Sequence, residues 1–353
     1  MASLASAQRP VVGVLVKRLV IACAVSLLVV LLVFAGWLAE YALRPGPSAR
    51  GDSAVVNIPR GMSLASISVR LEEARLLHDD IRFLFLARLS GLGGKVKAGE
   101  FRLPTGLTPL KLLEALAAAR PVQHTITIPE GLRLAEIGAL FGQGGWFDPR
   151  SLDNLQTDRA FLDSQGLAGA STLEGYLYPD TYQLTRDVRG AERIAAMMVA
   201  RFHKVWGELT ADLAERPDRH KTVILASMVE KETGAAEERP LIAGVFLNRL
   251  RLGMRLQSDP TVVYGLEGFS GRITRRDLQT PTPYNTYTVD GLPAGPICSP
   301  GKEALAAVLK PTATGDLYFV ARNDGSHQFS ATLAEHNDAV QRYQRKKSGK
   351  KSQ

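Results

Sequence analysis

Apolar and polar positions are arranged in three regimes along the chain. From Leu19 to Ala39 no residue is charged and no polar face interrupts the run, LVIACAVSLLVVLLVFAGWLA. At ~1.5 Å per residue such a helix is long enough for the ~30 Å hydrocarbon core of a bilayer. From about residue 54 the pattern changes to short β-type segments followed by stripes of helical period, the first being Leu64–Leu76 with Ile67, Leu71 and Ala74 on one side. Beyond residue 121 the stretch is mixed, with Trp146–Pro149 and Gly175–Thr181 loop-like and Ala191–Val205 strongly helical. Helices are then predicted at 221–233 and about 236–252. Loop-rich structure follows, then a strand at Leu317–Arg322 and a terminal helix at about 332–345.

The short segments repeat. Val56–Ile67 and Ile126–Ile137 share the pattern β-branched, x, Ile, Pro, x, Gly, x, x, Leu, Ala, x, Ile. A looser copy, Phe101–Leu110, leads into the helical KLLEALAAAR. Each reads as a short strand, a Pro-Gly turn and a helix start. The first unit is therefore a small β-α-α-β-α module, and the predicted fold class is α+β. The predicted organisation is residues 1–18 cytoplasmic, 19–39 transmembrane, 40–53 linker, 54–120 the small subdomain, 121–341 a mixed α+β domain and 342–353 a basic disordered tail. The linker has the composition RPGPSARGD at Arg44–Asp52.

Charge changes this picture only at the ends. The formal net charge is +8, but Arg9, Lys17 and Arg18 precede the apolar run and six basic residues lie in 342–353, with no acids in either segment. Removing these nine leaves −1 for the remainder, so the basic balance is no argument for a nucleic-acid partner. Positive residues before the span place the N-terminus inside and the bulk outside. The two cysteines, Cys23 in the span and Cys298 beyond it, form no disulfide framework. No zinc-type motif is present, no metal or cofactor is implied, and His327 and His336 read as surface or packing residues.

The chemistry concentrates in VILASMVEKET, Val223–Thr233, and the segments after it. Glu230 and Glu232 are ~200° apart on a helix, so at most one faces a given pocket. Glu232 shares a stripe with Leu225 and Met228, Glu230 with Val223, Ala226 and Ser227. Periodicity leans to Glu232 without deciding. An acid held against apolar neighbours keeps its proton to higher pH, as a general acid for a glycosidic oxygen requires. The bland alternative is a pair with Lys231, Arg239 or Arg249. Downstream, Gln257, Asp259, Thr261, Asn285 and Thr286 supply groups for sugar hydroxyls and acetamides, and Tyr264, Tyr284 and Tyr287 supply faces for stacking. No second carboxylate has an evident claim as nucleophile or base. Asp259 is the nearest, and Asp-Pro is equally a turn signal. A single acid suits chemistry in which the substrate supplies its own nucleophile.

LEGYLYPDTY (173–182), ILASMVEKET (224–233), VFLNRLRLGMRLQSDPTVVYG (245–265), TPYNTYTVDGLPAGPI (282–297) and FVARNDGSHQFSATLAEHN (319–337) occur in this order. Together they resemble the endolytic murein transglycosylases of the MltG (YceG-like) family, over nearly the whole chain. The resemblance implies a single-span enzyme of the bacterial inner membrane with a periplasmic catalytic domain and a LysM-like, βαβ-type subdomain. It implies cleavage of the MurNAc–GlcNAc β-1,4 bond in nascent peptidoglycan, leaving 1,6-anhydroMurNAc ends, with peptidoglycan synthases as partners. The catalytic Glu falls on Glu232 and a supporting or structural role on Glu230. Gln257, Asp259, Tyr284, Asn285, Tyr287 and Glu174 match positions expected to bind substrate, with Asp180 framing the cleft. The rival readings are a membrane-tethered glycan-binding or division scaffold, and a hydrolase with Asp259 as base.

Overall fold

The computed structural model describes residues 9–345 apart from 79, 267 and 270. The expected segments at 1–8 and 346–353 lie outside the described residues. Two compact units are formed: the chain up to His124 with Thr185–Asp187, and Thr125–Leu184 with Val188 onward.

The first unit begins with α1 (Arg9–Leu43), among the described residues the one helix long and apolar enough to cross a membrane. It outlasts the predicted 19–39 span at both ends, and its last turn is structural: Tyr41 and Ala42 are buried in this unit's core. Arg44 stands before Pro45, where helical geometry is disfavoured, and the helix stops. β1 (Ser53–Ile58), α2 (Leu64–Glu73), α3 (Arg82–Leu89), β2 (Gly99–Pro104) and α4 (Pro109–Ala118) follow, in the expected β-α-α-β-α order. β1 and β2 are antiparallel, Val56 opposite Phe101 and Ile58 opposite Gly99. Their inner face covers Leu71, Phe83, Leu112 and Leu113.

The second unit holds β3 (His124–Thr127) apart from its first residue, α5 (Leu134–Gln143), α6 (Pro149–Leu155), α7 (Arg159–Ser164), β4 (Thr181–Leu184) and α8 (Ala191–Thr210). α9 (Arg219–Glu232), α10 (Arg239–Arg251), α11 (Asp259–Gly265), α12 (Arg275–Gln279) and α13 (Lys302–Leu309) come next, then β5 (Tyr318–Ala321), β6 (His327–Ser330) and α14 (Leu333–Val340). β3 pairs with β4, and β5 with β6 in an antiparallel hairpin. The terminal helix predicted to 345 is α14 followed by a π-helical turn at Gln341–Arg345. The loop-rich reading of 253–316 is corrected: α11, α12 and α13 lie there. Pro260 and the brevity of α11 and α12 read as loop, because proline is tolerated in a first helical turn but mimics a breaker. KEALAAVL of α13 buries Ala304, Leu305 and Ala307.

The three repeat copies fold alike. Gly61, Gly106 and Gly131 have φ of +78°, +70° and +76°, and α2, α4 and α5 begin three residues after each. The turn needs a left-handed residue, which glycine supplies without a Cβ clash. At the centre of the second unit is α9. Asp218 caps it by accepting from Lys221 N–H, and every residue from Thr222 to Val229 is buried. A helix apolar all round is a core helix. α10 and α13 pack against it. Each fully buried Val, Leu or Met there contributes about 1.5–3 kcal/mol.

Candidate active site

Glu232 is the last residue of α9 and emerges, partly exposed, from this buried helix. Its Oε1 accepts from Ser258 Oγ at 2.5 Å. Burial pushes its carboxyl up to about 7; the Ser258 hydrogen bond opposes this, nearby Asp259 adds to it, and Arg249 opposes it last. The negative end of a helix dipole also disfavours an anion at this position.

The segment after α10 brings the neighbours. Gln257 has φ +51°, in the left-handed region that a residue with Cβ adopts at a cost, and its N–H donates to Thr286 O. That twist sets Ser258, whose N–H donates to Thr286 Oγ1. Asp259 opens α11, and its Oδ1 accepts from Tyr287 Oη at 2.7 Å. Arg249, 7% exposed, donates to the carbonyls of Leu317 (2.6 Å), Leu256 (2.8 Å) and Arg255 (3.3 Å) and lies over the Tyr318 ring. Glu232, Arg249, Gln257, Asp259, Tyr287 and Tyr318 line a cavity of about 400 Å³. β5, β6 and α14 close its other side, with His327 and His336 on the wall. Among the described residues no three His, Cys, Asp or Glu side chains cluster to hold a metal ion.

A partly buried acid with a raised pKa, one hydroxyl donor, and an open cavity lined by amide, carboxylate and phenol groups can donate a proton to a bound neutral oxygen. Comparison with known proteins fits that chemistry. The family model described as the YceG-like family matches residues 56–342. The chain belongs to the YceG-like family. A Bacillus subtilis protein named endolytic murein transglycosylase is 30% identical over 303 residues, 82% of this chain and 84% of that protein. A Streptococcus pneumoniae protein of the same name is 30% identical over 297 residues, 75% of this chain but 54% of its own length. A crystal structure of a YceG-like protein from Listeria monocytogenes has a TM-score of 0.54 and 32% identity, covering 82% of this chain and 100% of that one.

In this YceG-like chain the expected site residues divide. Glu232, Gln257, Asp259 and Tyr287 share the cavity. Glu174, Tyr284 and Asn285, expected to bind substrate, are not on its wall. Glu174 is 3% exposed; both its oxygens accept from Leu134 N–H at the start of α5, and Oε2 also accepts from Tyr264 Oη. Burial pushes it up to about 7 against those bonds. Tyr284 packs on Tyr264, ring centroids 4.6 Å apart. Asn285, fully buried, donates to the carbonyls of Asp277, Leu278 and Thr280 and accepts from Tyr287 N–H. It therefore positions Tyr287 without facing the cavity. Asp180 pairs with Arg201; burial opposes its ionisation, and the guanidinium overcomes this to hold it below the usual range. Glu230 lies off the cavity wall, its Oε2 accepting from Gly301 N–H at 2.9 Å and its Oε1 pairing with Arg239 at 3.4 Å.

Arg249, His327 and His336 were not expected in the cavity, nor buried Ser258 as the hydrogen-bond partner of Glu232. His327, read as surface or packing, donates its N–H to Glu238 and holds the same carboxylate through Nδ1 at 2.6 Å. Thr233 Oγ1 also donates to Glu238, so the residue after Glu232 is tied to β6. The available signal was order alone: FVARNDGSHQF follows the acid by nearly a hundred residues, and only the hairpin's return onto α9 brings them together.

Proposed function

We propose that this chain is a membrane-anchored endolytic murein transglycosylase that cuts the MurNAc–GlcNAc β-1,4 bond inside nascent peptidoglycan strands and leaves 1,6-anhydroMurNAc ends. One observation carries the reading: the Glu232 carboxyl, pushed up to about 7 by burial, faces a 400 Å³ cavity beside Ser258 and Asp259. The shared name of the Bacillus and Streptococcus relatives supports the substrate class.

In the proposed reaction Glu232 gives its proton to the glycosidic oxygen as the C1–O bond of MurNAc breaks. Gln257, the Tyr287 phenol and Asp259 stabilise the oxocarbenium-like centre electrostatically. The ionised Glu232 takes the proton of the MurNAc C6 hydroxyl as O6 bonds to C1, which returns the acid and consumes no water. Asp259 Oδ1 is engaged by Tyr287, an arrangement that suits charge stabilisation better than activation of water. α1 acts as the anchor, with Lys17 and Arg18 on the cytoplasmic side and both units outside the inner membrane. The first unit serves as a LysM-like glycan contact, the cut sets strand length, and peptidoglycan synthases supply the nascent strand.

The test incubates the full chain in detergent with uncrosslinked glycan strands and reads new ends by mass spectrometry, with Glu232→Gln alongside. New anhydro ends that vanish in the variant are the expected result. Reducing ends, one water heavier, would replace the reading by hydrolysis, and binding without cleavage by a scaffold.

A further inference from the structure

α3 presents an apolar face that the fold leaves uncovered. Phe83, Leu86 and Ala87 point into the first unit's core, whereas Ile81, Phe85 and Leu89 are 63%, 41% and 68% exposed. These three are four residues apart, so they form one stripe along the helix. Such a stripe is costly in water and calls for an occupant.

The surroundings name one. Phe85 packs edge-on against Phe34 of α1, ring centroids 5.7 Å apart, and against Trp37 at 6.4 Å. Phe34 lies six residues before Glu40, the first charge after the apolar run, about 9 Å along the helix axis. A ring touching Phe34 is therefore at hydrocarbon depth if α1 spans a bilayer. Arg82 fixes α3 to this part of α1. It donates to Trp37 O at 3.2 Å, pairs with Glu40 and Asp80 at 2.6 Å each, and lies over the Trp37 and Tyr41 rings. Its charge is thus compensated within the protein. Exposed Arg88 flanks the stripe, within reach of headgroup phosphate by the snorkelling that long basic side chains allow.

We propose that α3 is a second membrane contact, an interfacial helix that seats Ile81, Phe85 and Leu89 in the outer boundary of the lipid that α1 crosses. This rests on α1 being a bilayer span. The stripe continues the lipid-facing surface of α1, and a helix with one apolar face and a basic flank, here Arg88, suits the interface plane. Its consequence is orientational: the first unit, already fixed to α1, is held against the membrane at two points and its tilt to the bilayer is limited.

The test uses the full chain with Cys23→Ser, reconstituted in vesicles of phosphatidylethanolamine with a minority of phosphatidylglycerol. Cys298 is fully buried, its thiol donating to Ser227 O, and stays unlabelled. Spin labels go one at a time onto Cys placed at Phe34, Phe85, Leu89 and, as an exposed apolar control on β1, Val55. Accessibility to oxygen relative to a water-soluble nickel chelate reports depth. The expected result is that Phe85 and Leu89 shift toward the Phe34 value while Val55 stays aqueous. Leu89 matching Val55 while Phe34 is in hydrocarbon overturns the proposal and leaves the anchor intact. Leu89 shielded from both probes means a protein contact and also overturns it. An aqueous Phe34 removes the anchor reading and this proposal with it. Because Leu89 is largely exposed, its label leaves packing unperturbed even if the one at Phe85 does not.

Discussion

Replacing Glu232 by Gln keeps the side-chain shape and an acceptor for the Ser258 hydroxyl while removing the ionisable group. The carboxyl moves from an ordinary 4.5 to about 7 on folding. At about 1.36 kcal/mol per unit, that difference is a ceiling of about 3 kcal/mol. The side chain is partly exposed at an open cavity, so solvent screening brings the working figure to about 1–2 kcal/mol. The sign follows from proton counting. Between pH 4.5 and 7 the folded chain holds a proton that the unfolded chain has released, so wild-type stability falls as pH rises through that window, and the full cost is present above it. The variant lacks this slope. Glu174, also pushed up to about 7 by burial, titrates in both proteins and cancels in the difference. Urea unfolding followed by fluorescence of Trp146 and Trp206 at pH 4 and pH 8 should therefore show the variant gaining about 1–2 kcal/mol relative to wild type across that interval. Turnover should be absent at both. A difference that is flat with pH would mean that Glu232 is ionised like a surface carboxylate, and the general-acid argument would fail with it.

Glu230→Gln should separate stability from catalysis. It leaves the largely buried Arg239 without the Glu230 carboxylate, costing about 3 kcal/mol in urea unfolding. Turnover per folded molecule should stay within roughly tenfold of wild type. Gln257→Gly relieves the left-handed strain and should raise stability by about 0.5 kcal/mol, while steady-state cleavage slows because the cavity loses its amide. Gly175→Ala forces a Cβ to a φ of +84° and within 2.6 Å of Pro296 Cβ and 2.9 Å of Val223 Cγ1. Calorimetry should find it destabilised by about 2–4 kcal/mol.

The parts legible in sequence were those written in local periodicity. The apolar run gave α1, the Pro-x-Gly pattern gave the turns before α2, α4 and α5, and the mostly apolar stretch before Glu230 gave a buried α9. The choice between two glutamates two residues apart was only weakly legible. It depends on what lies beyond the helix end: Ser258 and a cavity for Glu232, Arg239 and Gly301 for Glu230. The surroundings of Glu174 and Asn285 were hidden for a related reason. A carboxylate or amide in a loop of polar and aromatic residues looks alike whether it faces a ligand or satisfies buried backbone groups. Here Glu174 takes Leu134 N–H and Asn285 takes three carbonyls, demands created by the fold itself.

Keeping the pKa of an acid raised beside an arginine poses a physical problem that the cavity solves through the backbone. An unscreened guanidinium on the wall would draw the proton off Glu232. Arg249 is instead committed to the carbonyl oxygens of Leu317, Arg255 and Leu256, whose dipoles absorb its charge, and it stands last among the influences on the Glu232 carboxyl. Burial even pushes its own pKa down. The same three carbonyls bracket the site. Arg255 and Leu256 lead directly into Gln257, Ser258 and Asp259, and Leu317 leads into β5. One side chain from α10 thus clamps the segment carrying the Glu232 hydroxyl partner to the hairpin that closes the cavity, and does so while opposing the raised pKa of Glu232 least of all. A lysine could reach one of these carbonyls but could not fork across all three, because its ammonium lacks the planar array of donors. The guanidinium is needed there for its shape as much as for its charge.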